Sequence, residues 1–361
     1  MKNTFGNAIS ITLFGESHGT HIGAVVDGIA PGIKIDKEYI NFCLNLRKPH
    51  GSISTQRCEA DEFQIISGEF NGYTTGTPLT VIIENTSKKS CDYESLKSTP
   101  RPGHADYTAE CKYHGFQDYR GGGHFSGRIT AALVAVGAIL KKALEDKGVF
   151  IGTHISYLGG IKDDAITTVN DVVELSQKLF PALSSEKERL MKEKIDEARK
   201  EGDSIGGVLE SYVYGVPAGI GEPFFDSTES VLSHLLFSIP GVKGVEFGAG
   251  FGFADLCGSQ ANDSFAVVEG DIVTETNNNG GINGGITNGM PIVFRCAVKP
   301  TPSIYKEQKT VDLKTCKNTS LAIEGRHDPA IIHRARAVVD AVTAIAIADM
   351  LTVRYGTDYL K

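Results

Sequence analysis

An internal repeat restricts the fold of this chain more than any other feature of its sequence. Residues 22–49 read as a strand, a glycine–proline turn, a helix and a proline, and residues 205–240 repeat this order. Residues 74–79 and 287–292 form a second pair, in which a glycine and a proline lead into an apolar strand. Two copies of a strand–helix–strand–strand–helix unit predict one pseudo-symmetric α+β body, with 163–203 as an insertion. Chance similarity between glycine-rich strands is the alternative interpretation.

The repeat also predicts where a ligand would bind. We expect a single domain of two halves, approximately 1–150 and 203–361, related by a pseudo-twofold axis. Corresponding loops of the two halves would meet near that axis. A ligand site shared between the halves is therefore expected.

Local patterns agree with such a body. Short apolar runs, mostly bounded by glycine or proline, predict strands, and longer periodic segments predict helices. The predicted strands are 9–14, 21–26, 62–66, 79–84, 150–157, 207–214, 251–257 and 291–298. The predicted helices are 37–47, 127–147, 172–179, 186–200, 229–237 and 335–355. The alanine-rich helices 127–147 and 335–355 are apolar on nearly all sides and should be buried, whereas 186–200 should be solvated.

Charge, cysteine spacing and hydropathy exclude several classes of protein. The formal net charge of −8 disfavours nucleic acid as a partner, because a phosphate backbone requires a basic surface. The seven cysteines are scattered and never spaced as C-x-x-C, so neither a metal site nor a disulfide framework is expected. No apolar run approaches the roughly 18 residues that cross a bilayer, and no signal segment is recognisable. We therefore expect no membrane partner and a cytoplasmic location.

The segment 118–128 combines features that bind anions. Its three successive glycines run into a predicted buried helix, where backbone N–H groups and the positive end of the helix dipole are exposed. Ser126, Arg120 and Arg128 add polar and charged donors. The segment is not a P-loop, since no Gly-Lys-Ser/Thr follows the glycines. A flexible linker is the alternative, and the weaker glycine run at 280–285 could be a tight hairpin.

Two histidines stand in turns that contain glycine. His18 lies in 15–19, directly after the first long strand, and His104 lies in 101–106, after a proline and a glycine. Histidine titrates near neutral pH, so two of them could protonate two different groups. The alternatives are a surface position for His18 and, for His104, a structural turn in which Asp106 caps the chain that follows.

Further cationic segments occur along the chain. Residues 299–303 close a strand with a lysine, two prolines and two hydroxyls, and residues 325–329 place Arg, His and Asp before the last helix. Arg47 and Arg57 could hold an anionic ligand as charge-assisted donors. Ordinary surface charges, and a capping cluster at 325–329, are the alternatives.

Taken together, these segments resemble the chorismate synthase family through nearly the whole chain. The matching stretches are 14–19, 101–107, 118–123, 201–205, 242–248, 299–301 and 325–329. The resemblance implies a βαβ sandwich with internal pseudo-symmetry, similar to the repeat described above. It also implies a homotetramer.

The resemblance further implies a reaction and a cofactor. The substrate would be 5-enolpyruvylshikimate 3-phosphate, which is converted to chorismate by a 1,4-elimination of phosphate with loss of a ring hydrogen. Reduced FMN would be the cofactor, although no net redox change occurs. A trianionic substrate beside an anionic flavin requires a cationic pocket, which the arginines could supply.

Roles for individual residues also come from the resemblance. His18 would protonate the leaving phosphate, His104 would protonate the reduced flavin, and Asp328 would help to take the proton from flavin N5. The residues implied in holding the substrate are Arg47, Arg57, Arg101, Arg128 and Arg326. The residues implied in flavin binding are His124, Phe125, Ser126, Pro240, Gly241, Gly284, Lys299, Pro300, Thr301, Pro302, Ser303 and Arg326.

The chain departs from the family pattern at three places. His124-Phe125 stands where many relatives have Arg-Ser, and residues 50–54 lack the second arginine usually found after Arg47. The stretch after Pro329 also differs, with Arg334 in the usual arginine position. These changes affect single ligand assignments rather than the reaction class.

Two rival functions belong to other classes. A flavin reductase would consume NADPH, and some relatives reduce their own flavin, although no dinucleotide fingerprint is present here. A non-catalytic phosphate- or nucleotide-binding module would keep the glycine loop but would have no need of His18, His104 and Asp328.

Overall fold

Most of the predicted strands and helices form near the expected positions. The computed structural model describes residues 2–51, 53–54, 60–86, 97–323 and 327–361. The strands are β1 (Thr4–Phe5), β2 (Ser10–Gly15), β3 (His21–Asp27), β4 (Phe63–Ser67), β5 (Glu69–Phe70), β6 (Tyr73–Thr74), β7 (Leu79–Glu84), β8 (Phe150–Leu158), β9 (Ile161–Lys162), β10 (Gly207–Tyr214), β11 (Val242–Phe247), β12 (Phe265–Val268), β13 (Asp271–Thr274), β14 (Ile282–Asn283), β15 (Ile286–Thr287), β16 (Ile292–Val298), β17 (Gln308–Asp312) and β18 (Lys317–Leu321). The helices are α1 (Lys37–Arg47), α2 (Asp106–Tyr113), α3 (Thr130–Asp146), α4 (Val169–Gln177), α5 (Ser185–Lys200), α6 (Thr228–Leu236), α7 (Gly258–Ala261) and α8 (Ile332–Tyr355).

Two antiparallel sheets share one strand order. The first sheet runs β1-β2-β3-β7-β4, and the second runs β9-β8-β10-β16-β11. In each sheet a two-residue edge strand pairs with the first long strand. Beyond it, both sheets place the second, the fourth and then the third of their long strands, counted along the chain. The predicted α+β fold with internal duplication is confirmed. The division into halves at 1–150 and 203–361 stays a prediction, although β8 already belongs to the second sheet.

A pair of buried threonines shows the duplication at the level of single hydrogen bonds. The hydroxyl of Thr74 accepts the N–H of Ile33 at 2.9 Å and donates to the carbonyl of Ala30 at 2.6 Å. The hydroxyl of Thr287 makes the same two bonds in the second half. It accepts the N–H of Ile220 at 2.9 Å and donates to the carbonyl of Pro217 at 2.7 Å. Each threonine thus fixes the glycine–proline turn of its own half.

Helices α3 and α8 form the layer between the sheets. Helix α3 packs against β3 and β7, helix α8 packs against β8 and β10, and the two helices pack against each other. A Cβ atom on Gly137 would lie 2.5 Å from the Cβ of Ala341, so only glycine permits this close approach. Both helices are buried along almost their entire length, as their apolar sequences predict.

One predicted strand is wrong, and several short elements form where none was predicted. The predicted strand 251–257 is wrong, because Gly250–Asp255 forms a 3₁₀ helix. Gly248 and Gly250 adopt φ of 54° and 57°, which turns the chain, and the Glu246 carboxylate accepts the N–H of Phe251 at 3.0 Å. Sequence patterns also miss α2, because this eight-residue helix buries only Ala109 and has no apolar period to detect.

The segment 163–203 contains α4 and α5. Helix α4 packs against β8, while α5 buries only Met191 and Ile195, so its prediction as a solvated helix is confirmed. Across the described ranges, every helix is either too short or too polar to cross a lipid bilayer.

A row of alternating charges crosses the second sheet. The imidazole of His154 is buried, with Nδ1 2.9 Å from Asp163 and Nε2 3.1 Å from Glu210. Arg295, opposite Glu210 in the register, lies 2.7 Å from Glu246 on β11. Burial alone would lower the pKa of His154, but the hydrogen bonds to Asp163 and Glu210 raise it above the usual value.

Replacing Thr74 or Thr287, the two threonines that fix the repeated turns, by valine should destabilise the protein by about the same amount. Valine keeps the shape of threonine but leaves one buried N–H and one carbonyl without a partner, which costs about 1–3 kcal/mol. We therefore expect similar losses of unfolding free energy for Thr74→Val and Thr287→Val in denaturant titrations. A large loss for one variant and none for the other would show that the two turns are not equivalent.

The contribution of His154 to stability should depend on pH. Because its folded pKa is raised, the stabilisation is fully present below about pH 6.5 and is lost as the pH rises through the raised value. The difference in unfolding free energy between wild type and His154→Asn should therefore shrink from about pH 6 to pH 9. A difference that stays constant over this range would contradict the charged state assigned to His154.

Candidate active site

Three consecutive glycines place two imidazoles against one turn. Gly121, Gly122 and Gly123 all adopt positive φ, at 61°, 100° and 53°. A Cβ atom on Gly121 would lie 2.2 Å from Cε1 of His18, and one on Gly122 would lie 3.2 Å from Cε1 of His104. Glycine is therefore required here both by the backbone conformation and by the two rings. The turn is also held in place, since the carbonyl of Gly123 accepts the N–H of residue 17 at 3.1 Å.

His18 is held in a tight turn, and its Nδ1 contacts the neighbouring serine. The N–H of Gly19 donates to the carbonyl of Glu16 at 3.0 Å, which closes the turn, and the His18 side chain is buried. The Ser17 hydroxyl donates to the carbonyl of Arg120 at 3.2 Å and lies 3.1 Å from Nδ1 of His18. Because the hydroxyl proton is used, Nδ1 must carry hydrogen and donate to Ser17. Any change of protonation on this ring then takes place at Nε2.

His104 is oriented by a carboxylate. Its Nδ1 lies 2.7 Å from Oδ1 of Asp106, and the Arg101 guanidinium binds the same carboxylate at 2.7 and 2.8 Å. Burial alone would raise the pKa of Asp106, but hydrogen bonds from Arg101 and His104 hold it well below its usual value. The charged carboxylate therefore fixes hydrogen on Nδ1 and leaves Nε2 as the exchanging nitrogen. Asp106 is the first residue of α2 and does not cap that helix, but its Oδ2 accepts the backbone N–H of Arg101 at 2.9 Å and so closes the turn.

The second half of the chain reaches the turn that carries His104. The Lys299 ammonium donates to the carbonyl of Gly103, and a Cβ atom on Gly103 would lie 3.4 Å from Pro302. The N–H of Lys299 donates to the carbonyl of Gly241 at 2.9 Å. Lys299 and Pro302, both implied in flavin binding, thus meet a turn of the first half, as expected for a site shared between the halves.

Other residues implied in flavin binding surround the same turn or belong to the same loop. Ser126 lies beside Gly122, and its hydroxyl accepts the N–H of Arg128 at 3.2 Å. The ring of His124 is bonded to the carbonyl of Gly15 at 2.8 Å. Phe125 is 37% exposed, Pro240 and Pro300 are exposed, Thr301 is half-buried, Ser303 is buried, and Gly284 lies in the open β14–β15 turn.

A buried cluster with excess positive charge lies beside the glycine turn. Asp61 accepts from Nη2 of Arg47 at 3.0 Å and is also paired with Nη1 of Arg128. The side chains of Arg47 and Arg128 are 8% and 5% exposed, and that of Asp61 is fully buried. Burial lowers the pKa of Arg47 to about 10, and although burial alone would raise the pKa of Asp61, the two arginines lower it. Two cations therefore share one anion, and an anionic ligand would compensate the remaining charge.

Asp328 is joined to this cluster through Arg334. Nη1 of Arg334 binds Oδ2 of Asp328 at 2.5 Å, and its Nε donates to the carbonyl of Arg47 at 2.9 Å. Arg334 thus contacts two residues of the site, which agrees with its standing in the usual arginine position of the family pattern. Arg57 and Arg326 lie outside the described residues.

Sequence reasoning missed two residues that organise the site, Asp61 and Asn85. Asp61 stands two residues before β4, and Asn85 follows β7 directly. Single polar residues at strand ends carry no spacing signal. Their adjacency to the predicted strands 62–66 and 79–84 is the only sign that could have identified them.

Comparisons with known proteins agree over nearly the whole chain. The family model for chorismate synthase matches residues 9–352. A chorismate synthase of Pyrococcus abyssi is 47% identical over 97% of this chain and 97% of its own length, and one of Methanosarcina barkeri is 47% identical over 96% and 95%. A crystal structure of chorismate synthase aligns with a TM-score of 0.77 at 30% identity, covering 98% of this chain and 95% of that one. The chain therefore belongs to the chorismate synthase family and is a carbon–oxygen lyase of aromatic amino acid biosynthesis.

Proposed function

We propose that this protein catalyses the FMN-dependent 1,4-elimination of phosphate from 5-enolpyruvylshikimate 3-phosphate, giving chorismate. The observation that carries the proposal is the contact of His18 and His104 with one glycine turn. Each ring has its Nδ1 engaged by a neighbouring oxygen, so each is oriented to exchange a proton at Nε2. Two oriented acids in one site fit a reaction in which two different groups must be protonated.

The charge of the site supports an anionic substrate. Arg47 and Arg128 hold one more positive charge than Asp61 neutralises, in a region from which water is largely excluded. Arg101 lies on the His104 side of the glycine turn, where it is paired with Asp106. Buried, preorganised cations stabilise negative charge far better than solvated ones. The phosphate and carboxylates of the substrate are the groups we assign to these arginines.

His18 is assigned to the leaving phosphate. As the C–O bond breaks, its electron pair goes to the phosphate oxygen, and Nε2 of an imidazolium at His18 would supply a proton there. The bond from Nδ1 to Ser17 keeps the ring oriented during this transfer. Asp328, which Arg334 holds as an ion pair, would help to take the proton from flavin N5.

The residues around the His104 turn fit a flavin. Thr301 Oγ1 and His327 Nε2 are buried, and neither has a hydrogen-bond partner among the described residues. Thr301 lies in the segment 299–303, which the family resemblance implies in flavin binding. His327 follows Arg326, which the resemblance also implies in flavin binding. When bound, reduced FMN supplies electron density to the substrate ring and a site for its proton.

The assembly and the location belong to the same proposal. The β12–β13 hairpin belongs to neither five-stranded sheet and exposes Phe265, Val267 and Ile272 by about seven-tenths each. Apolar surface of this kind supports association with further copies of the chain, in line with the homotetramer that the family implies. The cytoplasm is the location we propose. NADPH enters the proposal only as a source of electrons for reducing the flavin.

An anaerobic assay with reduced FMN and enolpyruvylshikimate phosphate tests the function. We expect one phosphate to be released per chorismate formed, and no product when oxidised FMN replaces the reduced form. Steady NADPH consumption without substrate, in the absence of chorismate formation, would favour a flavin reductase. Ligand binding without turnover would favour a binding module.

Replacing His18 by alanine should slow turnover while flavin binding stays intact. Loss of a positioned general acid lowers kcat by a factor on the order of 10²–10⁴. His21→Ala is the matched control, because His21 is exposed at the start of β3, only three residues away. Equal losses for the two variants, or a kcat for His18→Ala within about twofold of wild type, would refute the acid assignment.

A further inference from the structure

Asn85 holds both ends of the turn that carries His18. The residue is 2% exposed, and its Nδ2 donates to the carbonyl of Glu16 at 3.0 Å and to the carbonyl of Gly19 at 3.1 Å. These carbonyls belong to the first and last residues of the four-residue turn in which His18 is third. Its backbone N–H donates to the carbonyl of Thr20 at 3.0 Å, which fixes the asparagine beside the turn.

The other end of the same amide binds Arg128. Oδ1 of Asn85 accepts from Nε of Arg128 at 2.9 Å, and Nη2 of Arg128 donates to the carbonyl of Glu84 at 3.1 Å. Two carbonyls on one side and a guanidinium on the other leave only one orientation of the amide that satisfies every partner. Both donors and the acceptor of the amide are thus used.

The second half contains a comparable arrangement. Lys299 follows β16 directly, as Asn85 follows β7, and these strands correspond in the two sheets. The Lys299 ammonium donates to the carbonyl of Gly103, inside the turn that carries His104. Asn85 therefore donates to the turn that carries His18, and Lys299 donates to the turn that carries His104.

We propose that Asn85 is a positioning residue, which fixes the His18 turn and couples it to Arg128. The inference rests on the proposed function, since it assumes that His18 is the acid and that Arg128 binds the substrate. Without the amide donors, the half-buried carbonyl of Gly19 loses this partner and that of Glu16 keeps only the N–H of Gly19, so the turn loses its restraint from outside. A displacement of about 1 Å at an acid costs on the order of 10²-fold in rate.

Asn85→Asp tests the turn contact separately from the arginine contact. Aspartate has the same shape and still accepts from Arg128, but it presents an oxygen to the two carbonyls instead of donors. We expect kcat to fall by a factor on the order of 10–10², and KM to rise as well, because the added carboxylate neutralises positive charge that we assign to the substrate. Asn170→Asp is the matched control, because Asn170 is exposed in the first turn of α4.

A double-mutant cycle with His18→Ala decides whether Asn85 acts through His18. In the His18→Ala background, Asn85→Asp should change kcat by no more than about twofold, because the group that it positions is gone. An equal loss of kcat in both backgrounds would overturn the proposal and make Asn85 a purely structural residue. Unchanged kcat for Asn85→Asp in the wild-type background would overturn it as well.

The ring signals of His18 in the full chain, measured by NMR with labelled histidine, separate this inference from the proposed function. Asn85→Asp should shift the signals of His18 and leave those of His234, on α6, unchanged. If His18→Ala leaves turnover intact, the acid assignment fails, but a shifted His18 signal still supports the positioning role. If His18→Ala slows turnover and the His18 signal does not move in Asn85→Asp, the positioning role alone fails.

Discussion

The close packing of α3 on α8 is the constraint on which the site depends. It requires Gly137, since any side chain there would collide with Ala341. Arg47, at the end of α1, connects the starts of both helices, because it donates to the carbonyl of Gly127 at 3.3 Å and accepts from Arg334 at 2.9 Å. Two positive helix ends are thus brought close together, a favourable environment for an anion.

The duplicated architecture explains why the site uses residues from both halves. The glycine turn and both histidines come from the first half, while Lys299, Pro302 and Asp328 come from the second. Neither sheet alone could bring these groups together. Their order in the sequence reflects the repeat, and their proximity reflects the packing of the central helices.

Periodicity and repeats predicted most of the fold. The apolar character of α3 and α8, the long strands of both sheets and the order of the repeated turns all follow from local patterns. The 3₁₀ helix at Gly250–Asp255 did not, because glycines with positive φ overrode an apolar run. Helix α2 escaped detection because it buries a single side chain.

The candidate site was predicted less completely than the fold. Histidines in glycine turns are visible in a sequence, but the partners that orient them are not. Asp106 could be interpreted as a cap, and Asp61 and Asn85 carried no pattern at all. Asn85 and Asp61 contact Arg128 across 43 and 67 residues of the chain. Such contacts arise only from the tertiary fold.

A crystal structure of the protein with oxidised FMN and enolpyruvylshikimate phosphate tests the central claim most directly. The oxidised flavin should hold the substrate without turnover. We expect the substrate phosphate within hydrogen-bond distance of Nε2 of His18, and the flavin ring in contact with the His104 turn and the Lys299 loop. A flavin or a substrate bound away from the glycine turn at 121–123 would contradict the account.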